Sequence, residues 1–217
     1  MKKSALLAMT LMAANASAAM ILGFGVEADY LAPAATGHLN YNNSDTVFNG
    51  TTESAYQIGA YLEHPIPLIP NIRLDYTSNM TFSGVGNDVS LKQLDITPYY
   101  EILDNIVDLD IGITAKTISG KTKVITEETF NAVIPMGYVA AAVMLPGTGL
   151  SVDGNVKYIS FSGDSLTDAR VKASWDIVAG LQVHAGYRYE SLQLDKRFDI
   201  TTNATFKGPF VGLGYKF

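Results

Sequence analysis

The chain keeps returning to one rhythm, an apolar side chain followed by a small or polar one. Near its end Val211, Leu213, Tyr215 and Phe217 alternate with Gly212, Gly214 and Lys216. Successive side chains on a strand point to opposite faces, so this segment has one greasy face and one small or polar face. The same alternation places Leu22, Phe24, Val26, Ala28 and Tyr30 against Gly23, Gly25, Glu27 and Asp29. It returns at Tyr56 to Glu63, Ile72 to Thr77, Gln93 to Ile102, Val107 to Thr114, Arg170 to Ile177 and Leu181 to Glu190. Met80 and Phe82 are read as continuing the apolar face of Ile72, Leu74 and Tyr76. About ten such strands can be drawn, with eight as the alternative, and the fold class is all-β.

Charge decides what the apolar face meets. Two spans stay open in their facing, Val133 to Leu145 and the strand from Leu150 to Tyr158. Elsewhere no Asp, Glu, Lys or Arg of these strands shares the apolar parity. A Lys or Arg turned toward lipid at mid-depth costs about 2–4 kcal/mol, so a membrane wall requires this segregation. A soluble sandwich also alternates, but it has no reason to sort its connections. Here one set is short: Pro65 to Pro70, Leu103 to Asn105, Pro146 to Gly149, Val178 to Gly180. The other set is read as mostly longer, polar loops: Ala32 to Glu53, Ser83 to Asp88, Ser119 to Ala132, Ser162 to Thr167, Gln193 to Asn203. Short inner turns and long outer connections are the asymmetry of transmembrane barrels. The outward parity also carries Tyr30, Tyr56, Phe82, Tyr158, Tyr187 and Tyr189 near one end, and Tyr100, Trp175, Tyr215 and Phe217 near the other. Two aromatic girdles at the membrane interfaces follow from that placement. The expectation is a transmembrane antiparallel up-and-down β-barrel in the cell outer membrane.

The first residues read differently. Lys2 and Lys3, an apolar stretch from Ala5 to Ala14, and Ala16-Ser17-Ala18 have the order of a signal peptide, giving 1–18 as a targeting segment and 19–217 as one barrel domain. The chain has no cysteine, which excludes a disulfide framework, a lipid-anchoring thiol and thiolate metal sites. A formal charge of −6 argues against nucleic acid as a partner.

The Lys2-Lys3 leader, the start Gly23-Phe24-Gly25-Val26-Glu27 and the ending Gly208-Pro209-Phe210-Val211-Gly212-Leu213-Gly214-Tyr215-Lys216-Phe217 together resemble a family of small outer-membrane β-barrel proteins of Gram-negative bacteria. That resemblance implies compartment and fold. It also implies that Tyr215 and Phe217 serve as the signal read by the barrel assembly machinery. Periplasmic chaperones during biogenesis and outer-membrane lipid are the expected partners, and a monomer is the expected state.

By parity the lumen receives Glu27, Asp29, Glu63, Asp75, Asp95, Glu101, Asp108, Asp110, Asp153, Asp176 and Glu190, with Arg73, Lys116, Lys157, Arg170, Lys172, Arg188 and His184. Mixed charges in a narrow space pair with each other, because an unpaired buried charge is expensive. A barrel of about eight strands is filled by side chains, while an aqueous channel needs about sixteen. A largely filled, charged lumen with a structural role is therefore expected, with a narrow porin-like passage as its variant. The passage would run beside Gly23, Gly25, Gly212 and Gly214, where the first and last strands meet.

No enzyme is expected. Omptin-type proteases use acidic residues and a His at the outer rim, but Asp108-Leu109-Asp110 and His184 lie toward the inner turns. Lipid A deacylases need a Ser beside the His, and His184-Ala185-Gly186 offers none. His38, His64 and His184 fall on three different elements, so no metal site or cofactor is expected. The asparagine-rich Ala32 to Glu53 segment, read as a surface loop, is the candidate for binding or adhesion. Its Asn42-Asn43-Ser44 and Asn49-Gly50-Thr51 tripeptides are read as loop composition.

Overall fold

The structure is a computed structural model. It describes residues 22–217 apart from 42, 43, 67, 84–87, 124–126, 179, 198 and 199. The proposed targeting segment and the Asn42-Asn43 part of the first tripeptide lie outside the described residues.

Twelve strands follow in chain order: β1 (Gly23–Leu31), β2 (Ala34–Tyr41), β3 (Ser44–Thr52), β4 (Ala55–Glu63), β5 (Asn71–Ser83), β6 (Asp88–Leu103), β7 (Val107–Lys123), β8 (Glu127–Leu145), β9 (Leu150–Phe161), β10 (Asp164–Val178), β11 (Leu181–Arg197) and β12 (Ile200–Lys216). Ten of them, β1 and β4 to β12, form a closed antiparallel ring, which β1 completes by pairing with both β4 and β12. The remaining two form a hairpin that extends the first pair of strands. The inner half of β12 pairs with β1 (Val211↔Tyr30) and its outer half with β2 (Thr205↔Thr36). Pro33 explains the break between them, since it has no N–H to give to a ladder. Ala32 instead donates to the Pro209 carbonyl at 3.0 Å, and Glu53 donates to the Pro33 carbonyl at 3.0 Å. A Cβ on Gly208 would sit 2.1 Å from the Ala32 carbonyl oxygen, so the bent crossing requires glycine there.

This corrects the expected surface loops. Ala32 to Glu53 is largely strand, in β2 and β3. Ser119 to Ala132 and Gln193 to Asn203 are mostly the extended arms of β7–β8 and β11–β12. Of Ser162 to Thr167 only Ser162 and Gly163 are turn and the rest opens β10: Phe161 pairs with Asp164, and Ser162 (φ 54°) and Gly163 (φ 93°) both lie in the left-handed region. That is the geometry of a type I′ hairpin, whose twist matches the flanking strands. The asymmetry between the two ends therefore resides in strand length.

The wall's outer surface is apolar. Ile58, Leu74, Ile96, Ile113, Val139, Val156, Val171 and Leu213 are all exposed. Tyr30, Tyr56, Tyr158, Tyr187 and Tyr189 stand exposed toward the outer end, and Phe24, Tyr100, Trp175, Tyr215 and Phe217 toward the inner end. Neighbouring rings touch, with Tyr30 and Tyr56 at 5.6 Å and Tyr215 and Phe217 at 4.5 Å. Tyr76 is also exposed, lying between the girdles.

Phe82 does not join the girdle. Between Thr77 and Met80 the β5–β6 register slips by one residue. One extra residue turns every later side chain to the other face. Met80 and Phe82 therefore point inward and are buried. The span whose facing the sequence left open is resolved as well: Ala132, Ile134, Met136 and Tyr138 face in and are buried, while Val133, Val139 and Val143 are exposed.

Candidate functional site

The interior is built in three tiers, and several strands change character along their length. On β6 the inward residues run Thr97, Asp95 and Gln93, then Leu91 and Val89. On β10 they run Arg170 and Asp168, then Leu166; on β11, Arg188 and Glu190, then Leu192 and Leu194. In these runs the polar stretch lies toward the inner end and gives way to apolar residues further out, with Asp164 at the outer end of β10 as a buried polar exception.

Most of the middle tier is one continuous chain of ion pairs with alternating sign. Lys172 is bonded to Glu27, and Glu27 accepts from Arg73 Nη2 at 3.0 Å. Arg73 Nε donates to Asp75 at 3.0 Å, and Asp75 accepts from Lys157 Nζ at 3.2 Å. Lys157 is 2.5 Å from Asp95, which is 3.1 Å from Lys116 Nζ. Lys116 reaches Asp168 at 2.9 Å, Asp168 holds Arg188 at 2.9 Å, and Arg188 reaches Glu190 at 3.3 Å. Gln93 sits among these last groups. It donates to Glu190 at 2.8 Å and accepts from Arg188 at 2.8 Å and from Lys116 at 3.3 Å. Five cations thus meet five anions from seven strands. The Lys116 side chain is 0% exposed. Such a charge survives burial only because three carboxylates surround it.

A second group completes the tier. Asp29 holds Arg170 at 2.5 Å and His184 Nε2 at 2.5 Å, and the Arg170 guanidinium lies 4.1 Å above the Phe210 ring. The glycines of the closing strands make room for these side chains. A Cβ on Gly212 would fall 2.1 Å from Asp29 Oδ1, and one on Gly25 would fall 2.3 Å from the Tyr61 ring. Around Gly25 and Gly212 the low side-chain volume of this seam is thus taken up by neighbours. The pocket among Gln57, Arg73, Asp75, Asp95, Lys157 and Arg188 in this tier has a volume of about 10 Å3. That is about the least that holds one water molecule.

The inner tier is an acidic vestibule of about 300 Å3. Glu63, Glu101, Asp108, Asp110 and Asp153 line it, and Tyr99 donates to Glu63 at 2.8 Å. Asp176 lies exposed at this end and accepts from Gln182. The structure therefore divides the sequence-derived charges between two tiers instead of spreading them along the lumen.

The outer tier was missed by sequence reading, which treated the inner face as polar throughout. Among the described residues eighteen buried apolar side chains form one cluster, most of it in this tier, among them Leu31, Met80, Phe82, Leu91, Ile118, Ile134, Leu166, Leu192, Leu194 and Phe206. Phe48, Phe82 and Phe206 form its centre, with ring centroids 5.0 to 6.0 Å apart. A signal was present: near the outer ends the apolar residues change parity, from Leu94 to Leu91 and Val89 on β6 and from Tyr189 to Leu192 and Leu194 on β11. Among the described residues no group of three or more potential ligands is placed to hold a metal ion, and His38 and His64 lie apart from His184 on other segments.

No protein-family model and no curated protein sequence matches the chain. Solved structures do. The outer membrane protease OmpT from Escherichia coli aligns over 90% of this chain and 97% of its own, with TM-score 0.55 and 10% identity. Neisserial surface protein A aligns over 89% and 97%, with TM-score 0.41 and 16% identity. Ail, the attachment invasion locus protein of Yersinia pestis, aligns over 91% and 100%, with TM-score 0.39 and 11% identity. At these identities the fold is what is shared. A closed ring of ten antiparallel strands, an apolar outer wall edged by aromatic residues and the likeness to OmpT make this chain a β-barrel of the cell outer membrane.

Proposed function

We propose that the protein is a sealed structural barrel of the outer membrane, and that it neither conducts ions nor carries out chemistry. The observation that carries this reading is the unbroken run of ion pairs from Lys172 to Glu190, which crosses the lumen and encloses a pocket of about 10 Å3 among Arg73, Asp75, Asp95, Lys157 and Arg188. Equal numbers of cations and anions along that run also leave no surplus charge to select an ion. His184 is held between Asp29 and the Phe210 ring with its side chain fully buried, out of a substrate's reach. In this reading Tyr215 and Phe217 act during biogenesis as the strand recognised by the barrel assembly machinery, and the mature protein works as a monomer.

The test is conductance of the purified barrel in planar bilayers. The expected record is a flat baseline for the wild type. Discrete current steps from the wild-type protein would overturn the reading in favour of a narrow pore. A variant that removes two central cations, R73A/K157A, should open steps that the wild type lacks.

A further inference from the structure

The wall of the outer tier is interrupted, and mostly apolar side chains line the gap from both of its faces, with Ser160, Asp164 and Ser165 as the polar members of the lining. β8 pairs with β9 only from Gly137↔Tyr158 down to Leu145↔Leu150, so β8 above Gly137 has no partner on that edge among the described residues. β9 stops early because the Ser162-Gly163 turn sends the chain straight into β10. β11 runs on past Gln193, whose partner Ser165 is the last on β10 toward the outer end. Pro135 lies on the free stretch of β8, where a missing N–H costs no ladder bond.

The resulting cavity has a volume of about 360 Å3. Its floor is made by the inward-facing Ile134, Leu166 and Leu194, and its rim by the outward-facing Val133, Pro135 and Ser165. Only a break in a sheet brings both faces to one space. Ile134 and Leu194 also bound the apolar chamber inside the barrel. An apolar cavity of about 150 Å3 is enough to hold benzene, so this one accommodates a longer hydrocarbon.

Depth points to the occupant. Ser165 lies ten residues above the inner-girdle Trp175 on the same strand. At about 3.4 Å per residue and a tilt of roughly 40°, that is about 26 Å, close to the ~25 Å height of a barrel's apolar band. The mouth therefore opens where lipid chains meet headgroups, beside Tyr158. Val133 and Phe161 stand 59% and 66% exposed at this level, an apolar surface in a layer that otherwise turns polar. A free solute arriving from water would meet its opening at the rim of the barrel, whereas this one faces sideways into the leaflet.

We propose that the cavity is a binding site for one alkyl chain of an outer-leaflet lipid, which enters sideways between β8 and β11 and rests on Ile134, Leu166 and Leu194. The charged tier below stops the chain from going deeper. The site does not depend on whether the barrel conducts.

The test places the folded barrel in phosphatidylcholine vesicles containing a phosphatidylcholine with a diazirine on one acyl chain. After irradiation, adducts are mapped by mass spectrometry. Adducts are expected on Ile134, Leu166 and Leu194 as well as on lipid-facing residues such as Val139 and Val171. Filling the cavity with Leu194→Trp should abolish the inward adducts and leave the lipid-facing ones. Ile159→Trp fills the same space from the β9 side and serves if Leu194→Trp loses its heat-modifiable gel migration. Adducts confined to lipid-facing residues, or inward adducts that persist in the filled variants, would overturn the proposal. So would labelling of the three floor residues by a diazirine-bearing benzene but not by the lipid, which would make the occupant a small solute.

Discussion

Lys116 and Asp168 meet at 2.9 Å across the lumen, on β7 and β10, strands that do not touch in the wall. Their side chains are 0% and 5% exposed. The bond therefore ties two distant parts of the ring directly through its centre. Lys116→Met should leave Asp95 and Asp168 short of a cation and cost about 3–5 kcal/mol, the usual result of breaking a buried pair from one side. Adding Asp168→Asn should recover part of that loss, because the tier becomes neutral again and the amide oxygen of the new side chain can still accept from Arg188. Urea unfolding in lipid vesicles, followed by gel migration, measures both.

Gly212 and Gly214 alternate on one face of β12, yet they should respond oppositely to the same change. A Cβ on Gly212 would meet Asp29 Oδ1 at 2.1 Å and the Ala28 carbonyl oxygen at 2.6 Å, while one on Gly214 meets nothing closer than 3.6 Å. Gly212→Ala is expected to destabilise by about 1–3 kcal/mol, the cost of overpacking against groups that cannot move aside. Gly214→Ala should be close to neutral. The folded fraction after refolding into detergent micelles separates the two.

Phe82 offers a choice between sequence parity and the observed bulge. If it faced lipid, truncating it would cost little. It is instead 0% exposed, packed 5.0 Å from the Phe206 ring and 6.0 Å from that of Phe48. Phe82→Ala should therefore cost about 3–5 kcal/mol, as for other buried aromatic residues. Removal of Tyr76, which stands exposed on the same strand, should cost much less in the same unfolding assay.

These contrasts show what the alternation could and could not reveal. It was reliable wherever a strand kept its register, as on β10, where Arg170, Lys172 and Ser174 face in while Val171, Ala173 and Trp175 face out. It failed at β5, because a bulge is one added residue and leaves no mark in composition. It failed again at Ala32 to Glu53, where Asn, Thr and Gly suggested a loop but pairing to β12 makes strand. Individual charges on the inner parity were legible. Their ordering into one chain was not, since partners such as Glu27 and Lys172 lie 145 residues apart. The apolar chamber escaped notice because the apolar parity switches faces at Leu91 and at Leu192, and the polar Ser90, Lys92, Ser191 and Gln193 beside them do not mark the switch.

The Ser162-Gly163 turn predicts a gain. Both residues have positive φ, which glycine adopts freely and serine does not. Ser162→Asn would supply the Asn-Gly pair that suits this turn, and a stabilisation of a few tenths of a kcal/mol is expected. Gly163→Val should cost more than that, although nothing lies within 4 Å of the added Cβ. Here the penalty comes from the backbone alone. Thermal unfolding monitored by circular dichroism measures both changes.

The ring is completed by the last strand lying against the first, down to the Phe217 amide, which donates to the Phe24 carbonyl at 2.8 Å. Until β12 arrives, β1 has one bare edge, and the ion pairs that cross the lumen have no enclosed space in which to form. Folding therefore cannot proceed from the N-terminus with each part settling in turn. The earlier strands must wait for the last one, their pairing groups open to any other chain they meet. The seam thus sets a timetable: the barrel becomes safe from aggregation only at the moment it becomes complete.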